Sequence, residues 1–123
     1  MYDTSLGYAD REGFRNSYCL PFRPYNHQED RMYDTWEIPL TVMDVTLFQY
    51  RKLKFDQALC SVRELLKEVN KFQGVFVLLW HNGQNDEFLM PGISQFYLDL
   101  LAAIAEREPE NLQGPQIIER LNK

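Results

Sequence analysis

Residues Gly74-Val75-Phe76-Val77-Leu78-Leu79 form an apolar run with no polar interruption, which then breaks into Trp80-His81-Asn82-Gly83. A short run without alternation predicts a strand, Val75 to Trp80, buried on both faces, the habit of parallel sheets in α/β proteins. Two further strands are expected, at Phe14-Arg15-Asn16 and at Glu37-Ile38-Pro39-Leu40-Thr41-Val42. Phe55, Leu59, Val62, Leu66 and Val69 fall on one stripe at helical spacing. They predict an amphipathic helix from about Asp56 to Phe72, with Asp56 opposing the helix dipole and Gly74 as the C-cap. A second helix is expected to start from Ser94 as N-cap, with Ile93 stapled onto Leu98. Its apolar side would carry Leu98, Leu101 and Ile104, and it would stop before Pro109. A short third helix is predicted from Pro115 through Ile117, Ile118 and Leu121.

The order strand, strand, helix, strand, helix defines an α/β chain. Its Ile38–Val77 portion reads as a strand–helix–strand crossover, for which parallel strands and a right-handed connection are expected. Residues 21–35 mix Pro, Asn, Asp, His and Gln without periodicity and read as a long surface loop. No repeat or linker divides the chain, so residues 1–123 are taken as one domain.

Composition narrows the function classes. With 45% hydrophobic and 25% charged residues the chain has globular rather than disordered composition. A formal net charge of −5 gives no electrostatic reason to bind nucleic acid or an anionic membrane. No apolar run approaches the ~20 residues that span a bilayer. The Met1-Tyr2-Asp3-Thr4-Ser5 start lacks the basic and apolar parts of a signal peptide, so a cytoplasmic location is expected. The two cysteines, Cys19 and Cys60, are far apart and read as reduced thiols. Aromatic residues reach 14% and crowd the N-terminal half. That density serves a core, and it also suits a saccharide surface, where sugar C–H faces stack on rings.

In α/β folds the chemistry collects at the carboxyl ends of the strands. His81 stands at such an end, where it reads either as a proton donor, the side chain best able to exchange a proton near neutral pH, or as a histidine that caps the strand by bonding backbone groups. Asp44 follows the Glu37–Val42 strand closely and is expected to face the same end, either to orient a catalytic group or as an ordinary turn or N-cap residue. Asp86-Glu87 offers oxygen ligands or a plain polar loop, His27 reads as solvated, and Asp10-Arg11-Glu12 reads as a solvated turn.

Several blocks resemble a known family. These are Leu6-Gly7-Tyr8-Ala9-Asp10-Arg11-Glu12-Gly13-Phe14-Arg15, Cys19-Leu20-Pro21-Phe22, Glu37-Ile38-Pro39-Leu40-Thr41-Val42-Met43-Asp44 and Val77-Leu78-Leu79-Trp80-His81-Asn82. In order and spacing they resemble a branch of the polysaccharide deacetylase family (NodB homology). The resemblance implies a distorted (β/α) barrel that uses a divalent metal to remove acetyl groups from sugars. It implies that Leu79-Trp80-His81 supplies the general acid, His81, beside Trp80. Pro21 and Phe22 would line the substrate groove, with Cys19 where the family has arginine, and Arg15 as a stand-in.

The family's Asp-Asp block and His-X-X-X-His pair have no counterpart here, since the only histidines are His27 and His81. The chain thus resembles the C-terminal half of such a barrel: about three mainly parallel strands flanked by two or three helices. The expected set is catalytic His81, Arg15 and Asp44, substrate-binding Pro21, Phe22 and Trp80, and no metal ligand. No cofactor is expected in this chain, whereas a full-length member would hold a divalent ion such as zinc. Expected partners are a polysaccharide and either a second copy or a separate N-terminal half; no nucleic acid or membrane partner is expected.

Overall fold

The computed structural model describes all of residues 1–123. Helix α1 (Phe55–Lys71) runs against helix α2 (Ile93–Ala105), and a short helix α3 (Gly114–Leu121) closes the chain. Val62, Leu66 and Val69 of the expected stripe are buried together with Ala58. Facing them are Ile93, Phe96, Leu100 and Ala103 of α2. With Val42 and Leu47 these residues make one core cluster. Each Val, Leu, Ile or Phe side chain in it stabilises the fold by about 1.5–3 kcal/mol relative to exposure.

Six two-residue strands pair into three separate sheets. β1 (Tyr2–Asp3) lies parallel to β4 (Trp36–Glu37), and β2 (Tyr25–Asn26) lies antiparallel to β3 (Arg31–Met32). β5 (Val42–Met43) lies parallel to β6 (Leu78–Leu79) in the register Val42–Leu78 and Met43–Leu79. The β5–α1–β6 unit therefore has the parallel pairing that the crossover predicts. The molecule mixes helices with sparse strands, and no barrel is formed.

Several local expectations are corrected. Phe14–Asn16 is a turn: Ser17 N–H donates to Phe14 O at 3.0 Å, and positive φ at Gly13 (118°) and Ser17 (58°) reverses the chain. The expected strand at 37–42 is split around Pro39, which has no N–H to give a ladder. Its intervening residues are instead tied singly, Ile38 N–H to Asp3 O (2.9 Å) and Leu40 N–H to Leu6 O (3.0 Å). The 75–80 run is only half-buried, with Leu79 41% exposed, so it is not covered on both faces. The loop at 21–35 contains the β2–β3 hairpin, whose turn is fixed by Asn26 Oδ1 accepting the N–H groups of Gln28 and Glu29.

The helix ends also differ. Gly74 is not the left-handed residue after α1; Gln73 takes that role at φ 50°. The Gly74 N–H reaches back to Val69 O (2.8 Å) and Gln73 N–H to Asn70 O (3.2 Å), the Schellman pattern. Gly74 is required instead by close approach, because a Cβ there would lie 2.8 Å from Cys19 O. Ser94 is not the cap of α2. Gly92, at φ 91°, precedes the helix, and the Glu87 carboxylate accepts the N–H groups of Gly92 (2.7 Å) and Ser94 (2.8 Å). The buried face of α2 is rotated from the expected one. Ile93 is buried while Leu98 stays 59% exposed, so the staple does not form. This helix is apolar nearly all round, which leaves periodicity unable to choose its inner face.

Candidate functional site

Parallel pairing brings the carboxyl ends of β5 and β6 side by side, and each leads into a strand-to-helix connection. Asp44 is the first residue after β5, and His81 lies just beyond β6. The Asp44 side chain is fully buried, while that of His81 is half exposed. Asp44 Oδ1 meets His81 Nδ1 at 2.6 Å and accepts the Val45 N–H at 2.8 Å. Asp44 Oδ2 accepts the His81 backbone N–H, also at 2.8 Å. A carboxylate facing Nδ1 holds the proton on that nitrogen and leaves Nε2 as the exchanging atom of the ring. The pair is a dyad: one buried anion fixes the orientation and tautomer of one half-exposed imidazole.

The other expected residues are distributed differently. Trp80 adjoins the dyad, with its indole N–H donated to Asn85 Oδ1 at 2.9 Å. Its ring packs on Tyr97 (centroids 4.8 Å apart) and stacks with Phe96 at 6.2 Å. Arg15 does not join the dyad: its guanidinium reaches Gly7 O at 3.4 Å and forms no hydrogen bond to His81 or Asp44. Pro21 is buried. Phe22 exchanges both backbone bonds with Glu37 (3.0 and 2.8 Å) and meets Tyr18 edge-on. Neither of these two shares a bond with the dyad, and Phe22 braces β4 through its bonds to Glu37. His27 is exposed and sits edge-on to Tyr25.

Glu12 and Glu87 have roles that the sequence pattern did not show. Glu12 is no solvated turn residue; its side chain is only 5% exposed, and Oε1 accepts from Arg51 Nη1 at 2.7 Å and from Ser61 Oγ. These partners are 39 and 49 residues distant, so no local spacing could have revealed the contact. Thr46 Oγ1 adds a bond to Ala9 O at 2.9 Å, strapping the N-terminal segment onto the connection after β5. Glu87, read as a metal-oxygen donor or surface acid, is occupied with capping α2, and the Gly92 and Ser94 bonds hold its carboxyl below the usual range. Cys19 and Cys60 are both free. Burial pushes the Cys19 thiol up, which argues against an activated thiolate.

The divalent ion that the resemblance implies does not fit these residues. Both Asp44 oxygens are already committed to N–H donors and to the imidazole. No group of three or more His, Cys, Asp or Glu residues is placed to surround an ion, whereas catalytic zinc needs three protein ligands and an open position. No helix is long and apolar enough to cross a membrane. Comparison with protein-family models, with curated protein sequences and with solved structures returns no match.

Proposed function

We propose that this chain supplies the proton-donating part of a polysaccharide-deacetylase-type site, with His81 as general acid and Asp44 as its positioning residue. The supporting observation is the dyad itself, a fully buried carboxylate 2.6 Å from a half-exposed imidazole at adjacent parallel strand ends. Such an imidazole can hand a proton from Nε2 to a departing sugar amine or alkoxide, while Asp44 stabilises the imidazolium before transfer. The nucleophile-activating ion and the base must come from residues outside this set, so the chain alone turns over no substrate. A divalent metal such as zinc would belong to the residues that complete the site.

Acetate release from acetylated chitooligosaccharides, followed with and without added zinc, tests this. No release above buffer is expected, and release that His81→Ala abolishes would overturn the claim of inactivity. Long-range proton–nitrogen NMR tests the acid role separately. A proton on Nδ1 of His81 is expected; a lone pair there would exclude the assigned geometry.

A second reading is an assembly or carbohydrate-binding module that completes a barrel with another chain. It is favoured by the open edge of β6 in a two-stranded sheet and by Leu98 and Leu101 exposed on α2. Covering them would require a second copy or a separate N-terminal half. Light scattering over a concentration series should then show association. Titration with polysaccharide should change the emission of Trp36 or Trp80, and a flat response with a strict monomer would remove this alternative.

A further inference from the structure

An open cavity of about 380 Å³ lies on the connections that follow β5 and β6 and is lined by Phe48, Lys52, Leu53, Lys54, Phe55 and Met90. All but Met90 belong to the connection after β5 or the first residue of α1; Met90 comes from the connection after β6. The two segments meet closely, since a Cβ on Gly92 would lie 3.0 Å from Phe55 Cε2. Phe48 sits on a π-helical turn, Thr46–Tyr50, a conformation that gathers at functional sites. Ligands of α/β proteins bind between such carboxyl-end connections, and this volume is at the small end of ligand pockets, ~300–1,000 Å³.

The lining chemistry is two-sided. Phe48, Leu53, Phe55 and Met90 provide an apolar wall with no amide, hydroxyl or carboxylate to read a sugar or a base. Lys52 and Lys54 are exposed, and neither ammonium forms an ion pair in the structure. Two uncompensated cations at the rim of an apolar cavity are notable in a chain of net charge −5.

We propose that this cavity binds a small anionic amphiphile, a short-chain acyl carboxylate whose tail enters between Phe48, Phe55 and Met90 while its head group meets Lys52 and Lys54. The apolar wall supplies the area term, and the two ammonium groups select the charge. Occupancy has a built-in reporter. Phe48 lies edge-on to Trp80 with ring centroids 6.5 Å apart, so a tail pressing on Phe48 alters the surroundings of the indole. The inference does not depend on His81 acting as an acid.

Octanoate is the probe, with octan-1-ol as its neutral counterpart, followed by calorimetry and by Trp80 emission in a Trp36→Phe background. Saturable octanoate binding is expected. The double variant Lys52→Glu/Lys54→Glu should weaken it by about tenfold while leaving octanol unaffected. Both lysines are exposed, so this variant should keep the native circular dichroism. Met90→Trp, which fills the cavity, should abolish binding of both probes, and His81→Ala should leave octanoate affinity unchanged. Absence of saturation, octanol binding as tightly as octanoate, or unchanged octanoate affinity after the double charge reversal would overturn the proposal.

Discussion

Replacing Asp44 with Asn tests the geometry of the dyad most directly. The side chain is fully buried and accepts three hydrogen bonds: His81 Nδ1 at 2.6 Å, Val45 N–H at 2.8 Å and His81 N–H at 2.8 Å. Asparagine has one acceptor oxygen, so its NH₂ must take the place of one carboxylate oxygen. At the Oδ2 position it faces the His81 backbone N–H; at the Oδ1 position it faces the Val45 N–H. Either choice sets donor against donor and leaves a backbone group unpaired, while the remaining bonds lose their charge. The expected cost is about 2–4 kcal/mol of folding stability. His81→Ala removes a single bond from a half-exposed ring and leaves Asp44 with its two backbone donors, so about 1 kcal/mol is expected. Urea denaturation of the wild type, both single variants and the double variant completes the cycle. At roughly 3–5 °C per kcal/mol for a domain of this size, thermal melts should separate the variants as well. If Asp44 merely served the imidazole, Asp44→Asn would cost nothing further once His81 was alanine. A D44N variant no less stable than H81A, or one without effect in the H81A background, would refute the claim that Asp44 also ties the two strand ends.

Other outcomes follow from single contacts. The Glu87 carboxyl is held below its usual range by the Gly92 and then the Ser94 N–H bonds. Its stabilising effect is therefore present above the unfolded carboxylate value and is lost as pH falls through the lower folded value. Chemical denaturation across pH should show Glu87→Gln less stable than wild type at neutrality, with the gap closing in acid; a gap independent of pH would remove the capping argument. Glu37 has the opposite sign, because burial pushes its carboxyl up despite the Leu6 N–H bond. Glu37→Gln keeps an acceptor for Leu6 and should be at least as stable as wild type at neutral pH. That advantage should shrink as acid protonates Glu37, and a large neutral-pH loss would contradict it. Gly74→Ala drives a Cβ to 2.8 Å from Cys19 O and closer still to its Sγ, for an expected loss of about 1–3 kcal/mol. Cys19→Ala should recover part of that loss in a melt, and no recovery would place the strain elsewhere.

The sequence disclosed most where local pattern and long-range packing agreed. Val62, Leu66 and Val69 share one stripe with a polar opposite face, so both the existence and the inner face of α1 could be read directly. The parallel approach of β5 and β6 followed from the strand–helix–strand order. His81 and Asp44 were recognisable as occupants of strand ends, but their hydrogen bond spans 37 residues and only the register Met43–Leu79 brings it about. Leu98 and Leu101 misled because α2 has apolar side chains on several faces, and packing against α1 chose Phe96 and Leu100 instead. Phe14–Asn16 failed as a strand because the positive φ at Gly13 and Ser17 turns the chain back. The cavity beside Phe48 was invisible for a different reason: its wall is assembled from two connections whose meeting depends on a folded core.

Asp44 answers to two masters, the imidazole and the termini of β5 and β6. Should chemistry at His81 ever cease to matter, selection for a foldable chain would still keep this aspartate in place. Persistence of the acid among descendants would then record architecture, and only the fate of the histidine ring would report whether proton transfer is still in use.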